Sequence, residues 1–186
     1  EIKLEGCTFE KEVKFAKARW KRTLDLSRCH FKKSVDFQKI ETAESVILKG
    51  ATFGAGAYFA EANIEGGLDV REAVFDTVNF QRIGVGRDFF LQGATFRKGA
   101  DFSGSEVIGD ILAHGEDKER SKITRFQSNA YFSNLVVEGD VLLNDAEFWG
   151  STHFSESKIT GDFHAKAAEF RFWTEARFFG LQVGGD

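Results

Sequence analysis

One large apolar side chain returns at nearly the same place in every stretch of about 22 residues, and few folds can use such a pattern. Taken once per stretch, the first set reads Phe9, Phe31, Phe53, Phe75, Phe96, Phe126, Phe148 and Phe170. Five or six residues later, or eight in the last case, a second set reads Phe15, Phe37, Phe59, Phe80, Phe102, Phe132, Phe154 and Phe178. The third set is mostly aliphatic: Trp20, Thr42, Ile64, Val85, Val107, Val137, Ile159 and Val183. The fourth is Leu26, Leu48, Val70, Leu91, Ala113, Leu143 and Ala165. Two residues before the large one stands a small partner on the Phe faces (Ala73, Ala100, Ala168) and a larger one on the fourth face (Leu24, Phe89, Ile111, Phe163).

Residues two apart on an extended segment point the same way, so each small-x-large unit sends both side chains inward before the chain turns a corner. Four units per turn predict an all-β, four-sided coil filled with side chains. About eight coils stacked at ~4.8 Å make a rod on the order of 40 Å long. Of the 21 Phe, all but Phe90, Phe172 and Phe179 fall inside. The whole chain, 1–186, reads as one such domain, since no single repeat can bury its own apolar side.

Composition agrees. The absence of Pro suits coils bonded above and below, where a residue without an N–H has few places. Glycines at Gly66-Gly67, Gly109, Gly139 and Gly161 are expected at corners that need positive φ. A net charge of −4 argues against direct nucleic-acid binding by phosphate neutralisation. No apolar run reaches the ~18 residues of a membrane helix, and a cytoplasmic location is expected. The chain starts at Glu1 without Met and ends at Gly184-Gly185-Asp186, the expectation for a piece of a longer protein. Cys7 and Cys29 share one inward position on adjacent coils, near enough for a disulfide by distance, but read better as small buried thiols in place of Ala. His30, His114, His153 and His164 do not converge with a buried carboxylate or thiol, so no catalytic, cofactor or metal site is expected and the chain does not read as an enzyme.

The small-x-large units, with Ala, Cys, Ser or Val two residues before an inward Leu or Phe, resemble the pentapeptide-repeat family over nearly the whole chain. Alternation of five- and six-residue units places the resemblance in a Phe-rich variant subgroup. It implies a right-handed quadrilateral β-helix and a bacterial source. The expected function is a non-enzymatic interaction or scaffold module with an unidentified protein partner. The alternative is a DNA-mimicking regulator of a type II topoisomerase such as gyrase.

Several surface features bear on that choice. The register slips around 114–122, a charged loop insertion carrying Glu116, Asp117, Glu119 and Arg120. In relatives that act on topoisomerases such loops contact the enzyme, whereas the simpler reading is a tolerated surface insertion. A short insertion near 171–175 brings Phe172 and Trp173 outside the repeat; with Phe179 they are candidates for an end cap or for a homodimer contact through a coil end. Asp88, Asp110, Asp140, Asp162 and Asp186 form a column of carboxylates at one corner. The column imitates a phosphate backbone or collects cations, or, as the favoured reading, each Asp caps its own corner as an Asx-type turn. Lys14, Lys32, Lys33, Arg97 and Lys98 interrupt any acidic surface. On the fourth face Phe90, Leu112 and Leu142 point outward as an apolar strip, to be covered either by the neighbouring insertion or by a partner.

Overall fold

The computed structural model describes residues 2–114, 123–171 and 175–186, and every regular element among them is a β-strand. Most strands are only two residues long, as in Thr8–Phe9 and Leu24–Asp25. Strands pair in parallel with those one coil below and one coil above, on one side only in the end coils, so Phe9 faces Phe31, Phe31 faces Phe53 and Phe53 faces Phe75. The chain is therefore a stacked-coil β-solenoid. Two of its sheets contain eight strands each, one per coil, which fixes the number of coils at eight. The first and second columns of strands merge into a single 13-stranded sheet. They merge because Thr52–Tyr58, Val74–Asn79 and Thr95–Asp101 run straight through the corner between the two columns. The register shifts there, between Phe53 and Gly56 and between Phe75 and Thr77, because the fourth coil spaces its two Phe one residue closer than its neighbours.

Two ladders of Phe occupy the centre. In the first, successive rings lie nearly parallel, 4.7 Å apart for Phe9 and Phe31 and 4.8 Å for Phe126 and Phe148. In the second, Phe37 and Phe59 are 4.4 Å apart and Phe132 and Phe154 4.6 Å. Across the coil the ladders meet edge to face, as in Phe75–Phe80 at 5.9 Å and Phe96–Phe102 at 5.8 Å. Both arrangements suit the ring quadrupole and add about 0.5–1.5 kcal/mol per pair beyond area burial. Thr42, the one polar member of the third column, is buried and donates its hydroxyl to the Glu44 carbonyl at 2.7 Å, so no polar group is left unpaired there.

Inward placement and burial part company at the last coil. Phe170 and Phe178 continue the ladders, stacking on Phe148 and Phe154, yet they are 39% and 40% exposed because no further coil of the described residues stacks on them. Spacing alone places them in the interior; the stack leaves one side of each ring open.

Among the described residues, two sets of corners are β-turns whose third residue is left-handed. Lys17, Lys39, Glu61, Arg82, Gly104 and Asn134 take this conformation at one corner, and Gly6, Arg28, Gly50, Glu72 and Gly93 at another. Closure of the turn is seen in Ala18 N–H donating to Phe15 O at 2.9 Å. The left-handed residue is itself tied to the next coil, as where Lys17 N–H donates to Gln38 O at 2.9 Å. Gly66, Gly67, Gly109, Gly139 and Gly161 are not among the positive-φ residues, contrary to expectation. Their reason is steric and appears at the acidic column.

Candidate functional site

Every carboxylate of the column but the last, Asp186, accepts a hydrogen bond from the coil above rather than from its own corner. Asp110 N–H donates to Asp88 Oδ1 at 3.0 Å, and Asp140 N–H to Asp110 Oδ1 at 2.8 Å. Asp162 N–H donates to Asp140 Oδ1 and Asp186 N–H to Asp162 Oδ1, both at 2.8 Å. The expectation of Asx-type turns at these Asp residues is thus corrected: local turn chemistry looks only two or three residues ahead, while the acceptor here serves an N–H a full coil away. Asx-type bonds do occur elsewhere, from Ser27 N–H to Asp25 Oδ1 and from Arg71 N–H to Asp69 Oδ1.

This ladder, with the backbone beneath it, accounts for the glycine before every Asp of the column except Asp88. A β-carbon on Gly109, Gly139, Gly161 or Gly185 would fall on the Oδ1 of Asp88, Asp110, Asp140 or Asp162 in the coil below. The column also begins earlier than sequence suggests, since Gly67 N–H donates to Ser45 Oγ at 3.0 Å. A β-carbon on Gly66 would lie 2.7 Å from that hydroxyl. Gly67 itself projects nothing upward, and there the residue before Asp88 is Arg87.

The apolar strip lies where sequence places it. Phe90 pairs with Leu112 and Leu112 with Leu142 on consecutive coils, all three half-buried on the outer side of their strands. At the N-terminal end the Arg71 guanidinium lies 5.2 Å over the Phe90 ring and holds Asp69 through two hydrogen bonds, at 2.9 and 2.6 Å. At the other end stands exposed His164. Beside the strip, Gln92 Oε1 and His114 Nδ1 are buried and have no hydrogen-bond partner among the described residues. Glu116, Asp117, Glu119 and Arg120 lie outside the described residues, as do Phe172 and Trp173. Phe179, grouped with the latter two as cap or dimer contact, is 79% exposed.

Cys7 and Cys29 are free thiols. Cys29 is buried, donates to Leu4 O at 2.8 Å, and has its pKa pushed up by burial. Among the described residues no three His, Cys, Asp or Glu side chains gather as a metal site would require, and no helix is long and apolar enough to cross a membrane.

Sequence reading missed how the surface charges pair along the stack. Glu61 sits between Lys39 at 3.1 Å and Arg82 at 2.9 Å, one coil on either side. Hydrogen bonds from Lys39 and Arg82 hold the Glu61 carboxyl below the usual glutamate range. Lys32 reaches Glu10 and Lys98 reaches Asp76, each at 2.8 Å. Opposite charges one coil apart were the available signal. No family model matches the chain, and no curated protein matches it.

Proposed function

We propose that this solenoid is a non-enzymatic protein-interaction or scaffold module of the pentapeptide-repeat kind, with the right-handed, four-sided coil that this resemblance implies. What supports the reading is the filled interior. Phe53, Phe59, Ile64, Leu68 and their counterparts through the middle coils are at most 2% exposed, and stacked rings occupy the axis where a ligand would otherwise sit. Recognition then belongs to the outer faces, which the coil-to-coil hydrogen bonds hold rigid. Capture from lysate by the immobilised chain, combined with light scattering of the purified protein, tests this. A retained protein that elutes specifically with the free chain is expected; a strictly monomeric chain that retains nothing overturns the reading.

A second reading, a DNA-mimicking regulator of a type II topoisomerase, draws on the evenly repeated carboxylates from Asp88 to Asp186. Against it, each of Asp88, Asp110, Asp140 and Asp162 already commits one oxygen to the fold. A gyrase supercoiling assay with the intact chain and with a variant lacking residues 115–121 decides. Inhibition that weakens in the variant supports the mimic, and no inhibition at micromolar protein removes it.

A further inference from the structure

We propose that the strip formed by Phe90, Leu112 and Leu142 is a docking site for an amphipathic helix whose apolar stripe carries Lys and Arg along one flank. The inference rests on reading the chain as an interaction module and names the surface and the chemistry of the partner.

The length of the strip selects a helix. Its three side chains sit on consecutive coils, so at ~4.8 Å per coil they span about 10 Å along the stack. A helix laid along that axis places residues i, i+4 and i+7 over about 10.5 Å, roughly one side chain per coil. An extended peptide spaces same-side residues about 6.6–7 Å apart and loses step after the second contact. The boundaries agree, since the Arg71–Asp69 pair closes one end and exposed His164 marks the other.

Charge selects the flank. Two residues before each strip position runs the carboxylate column, Asp88, Asp110 and Asp140, with Asp162 in the same place before His164, whose Nε2 lies 3.8 Å from it. Their Oδ1 atoms serve the ladder, and no cation of the described residues pairs with Asp88, Asp110 or Asp140. The other flank carries the uncharged polar side chains Gln92 and Asn144 about His114. Three carboxylates, Asp88, Asp110 and Asp140, with no cationic partner among the described residues along one edge of an apolar row favour a partner with cations on that side alone, and they orient the helix as well as attracting it.

The test uses a fluorescein-labelled helical peptide of about 18 residues with Leu at i, i+4, i+7 and i+11 and Lys along one flank, read by anisotropy at about 50 mM NaCl. A control peptide replaces Lys by Glu. The intact chain should bind the Lys peptide at least about tenfold more tightly than the Glu peptide, and Leu112→Asp or Leu142→Lys should weaken binding about tenfold. The combined D88N, D110N, D140N and D162N variant keeps an oxygen for each ladder bond but removes the charge. It should retain its circular dichroism, lose about fivefold in affinity and flatten the salt dependence. Equal binding of the two peptides, or indifference to both strip variants, overturns the proposal. So does binding that appears only when residues 115–121 are deleted, which would give the strip to the chain itself, or a dimer that dissociates in Leu112→Asp. Lysate capture run alongside separates the two levels. If the intact chain retains nothing, the interaction-module reading fails. If Leu112→Asp retains the same protein as the intact chain, that reading stands and the strip is not its site.

Discussion

The corner between the third and fourth columns and the corner between the second and third use glycine for opposite reasons. At the second, where φ is positive, glycine is a minority: Lys17, Lys39, Glu61, Arg82, Asn134 and Glu156 all accept the left-handed conformation, and only Gly104 and Gly180 avoid its cost. At the first, where φ is ordinary, Gly66, Gly109, Gly139, Gly161 and Gly185 are confined by atoms of the coil below. In a stacked coil, then, the demand for glycine follows the contact between layers more closely than the backbone angle. A left-handed residue costs about 1–2 kcal/mol, which its coil-to-coil hydrogen bond helps offset, whereas overlap with a neighbouring backbone has no such compensation.

The comparison is most exposed at Gly139. Gly139→Ala should cost about 3 kcal/mol, read by urea titration, because the new carbon meets both the Asp110 carboxylate and the backbone of Gly109. Gly67→Asp should cost about 2 kcal/mol, since Arg87 stands above it, and adding Arg87→Gly should recover most of the loss. Asp110→Ala should cost about 2 kcal/mol through the orphaned Asp140 N–H, while Asp110→Asn, which keeps an acceptor, should stay within about 0.5 kcal/mol. Gly104→Ala, with φ of +69° but only the Arg82 Cγ at 3.3 Å nearby, should cost about 1 kcal/mol. If Gly104→Ala proves costlier than Gly139→Ala, backbone angle and not layer contact governs glycine here.

The smallest effect concerns the ion pairs that tie the left-handed corner across coils. Because Lys39 and Arg82 depress the Glu61 pKa, the pairing contributes stability above the ordinary glutamate value near 4.5 and loses it as pH falls through the lowered folded value. Melting temperature should therefore drop on acidification below that range. Glu61→Gln should drop less steeply, and an unchanged slope would show that the exposed pairing contributes nothing.

Most of the fold was legible because a side chain's direction depends on its nearest neighbours in sequence. Phe9 through Phe170 and Phe15 through Phe178 could be placed in columns from two-residue alternation and corner counts alone, and Phe90, Leu112 and Leu142 could be placed outside by the same rule. What escaped depends on residues a coil away. The carboxylate of Asp110 looks like a local turn cap until the stacking register sets Gly139 and Asp140 above it, across the insertion. Exposure of Phe170 and Phe178 escaped for the same reason, since spacing tells which way a ring points and not whether another layer covers it. With the register known, the pattern is readable in letters: glycine stands over Ser45, Asp88, Asp110, Asp140 and Asp162, and arginine over Gly67.

That vertical dependence also constrains the order in which such a column can evolve. An Asp arising beneath any residue with a β-carbon is rejected, so the glycine one coil above has to be present first, as a change of no benefit in itself. Once the carboxylate is in place the glycine is held both by it and by the backbone of the coil below, as at Gly139, and a residue with a β-carbon stands where the position beneath carries no side chain, as Arg87 does over Gly67. Ladders of this kind should lengthen by permissive steps and erode in the reverse order, leaving glycines without a carboxylate beneath them as the trace of rungs lost or not yet formed.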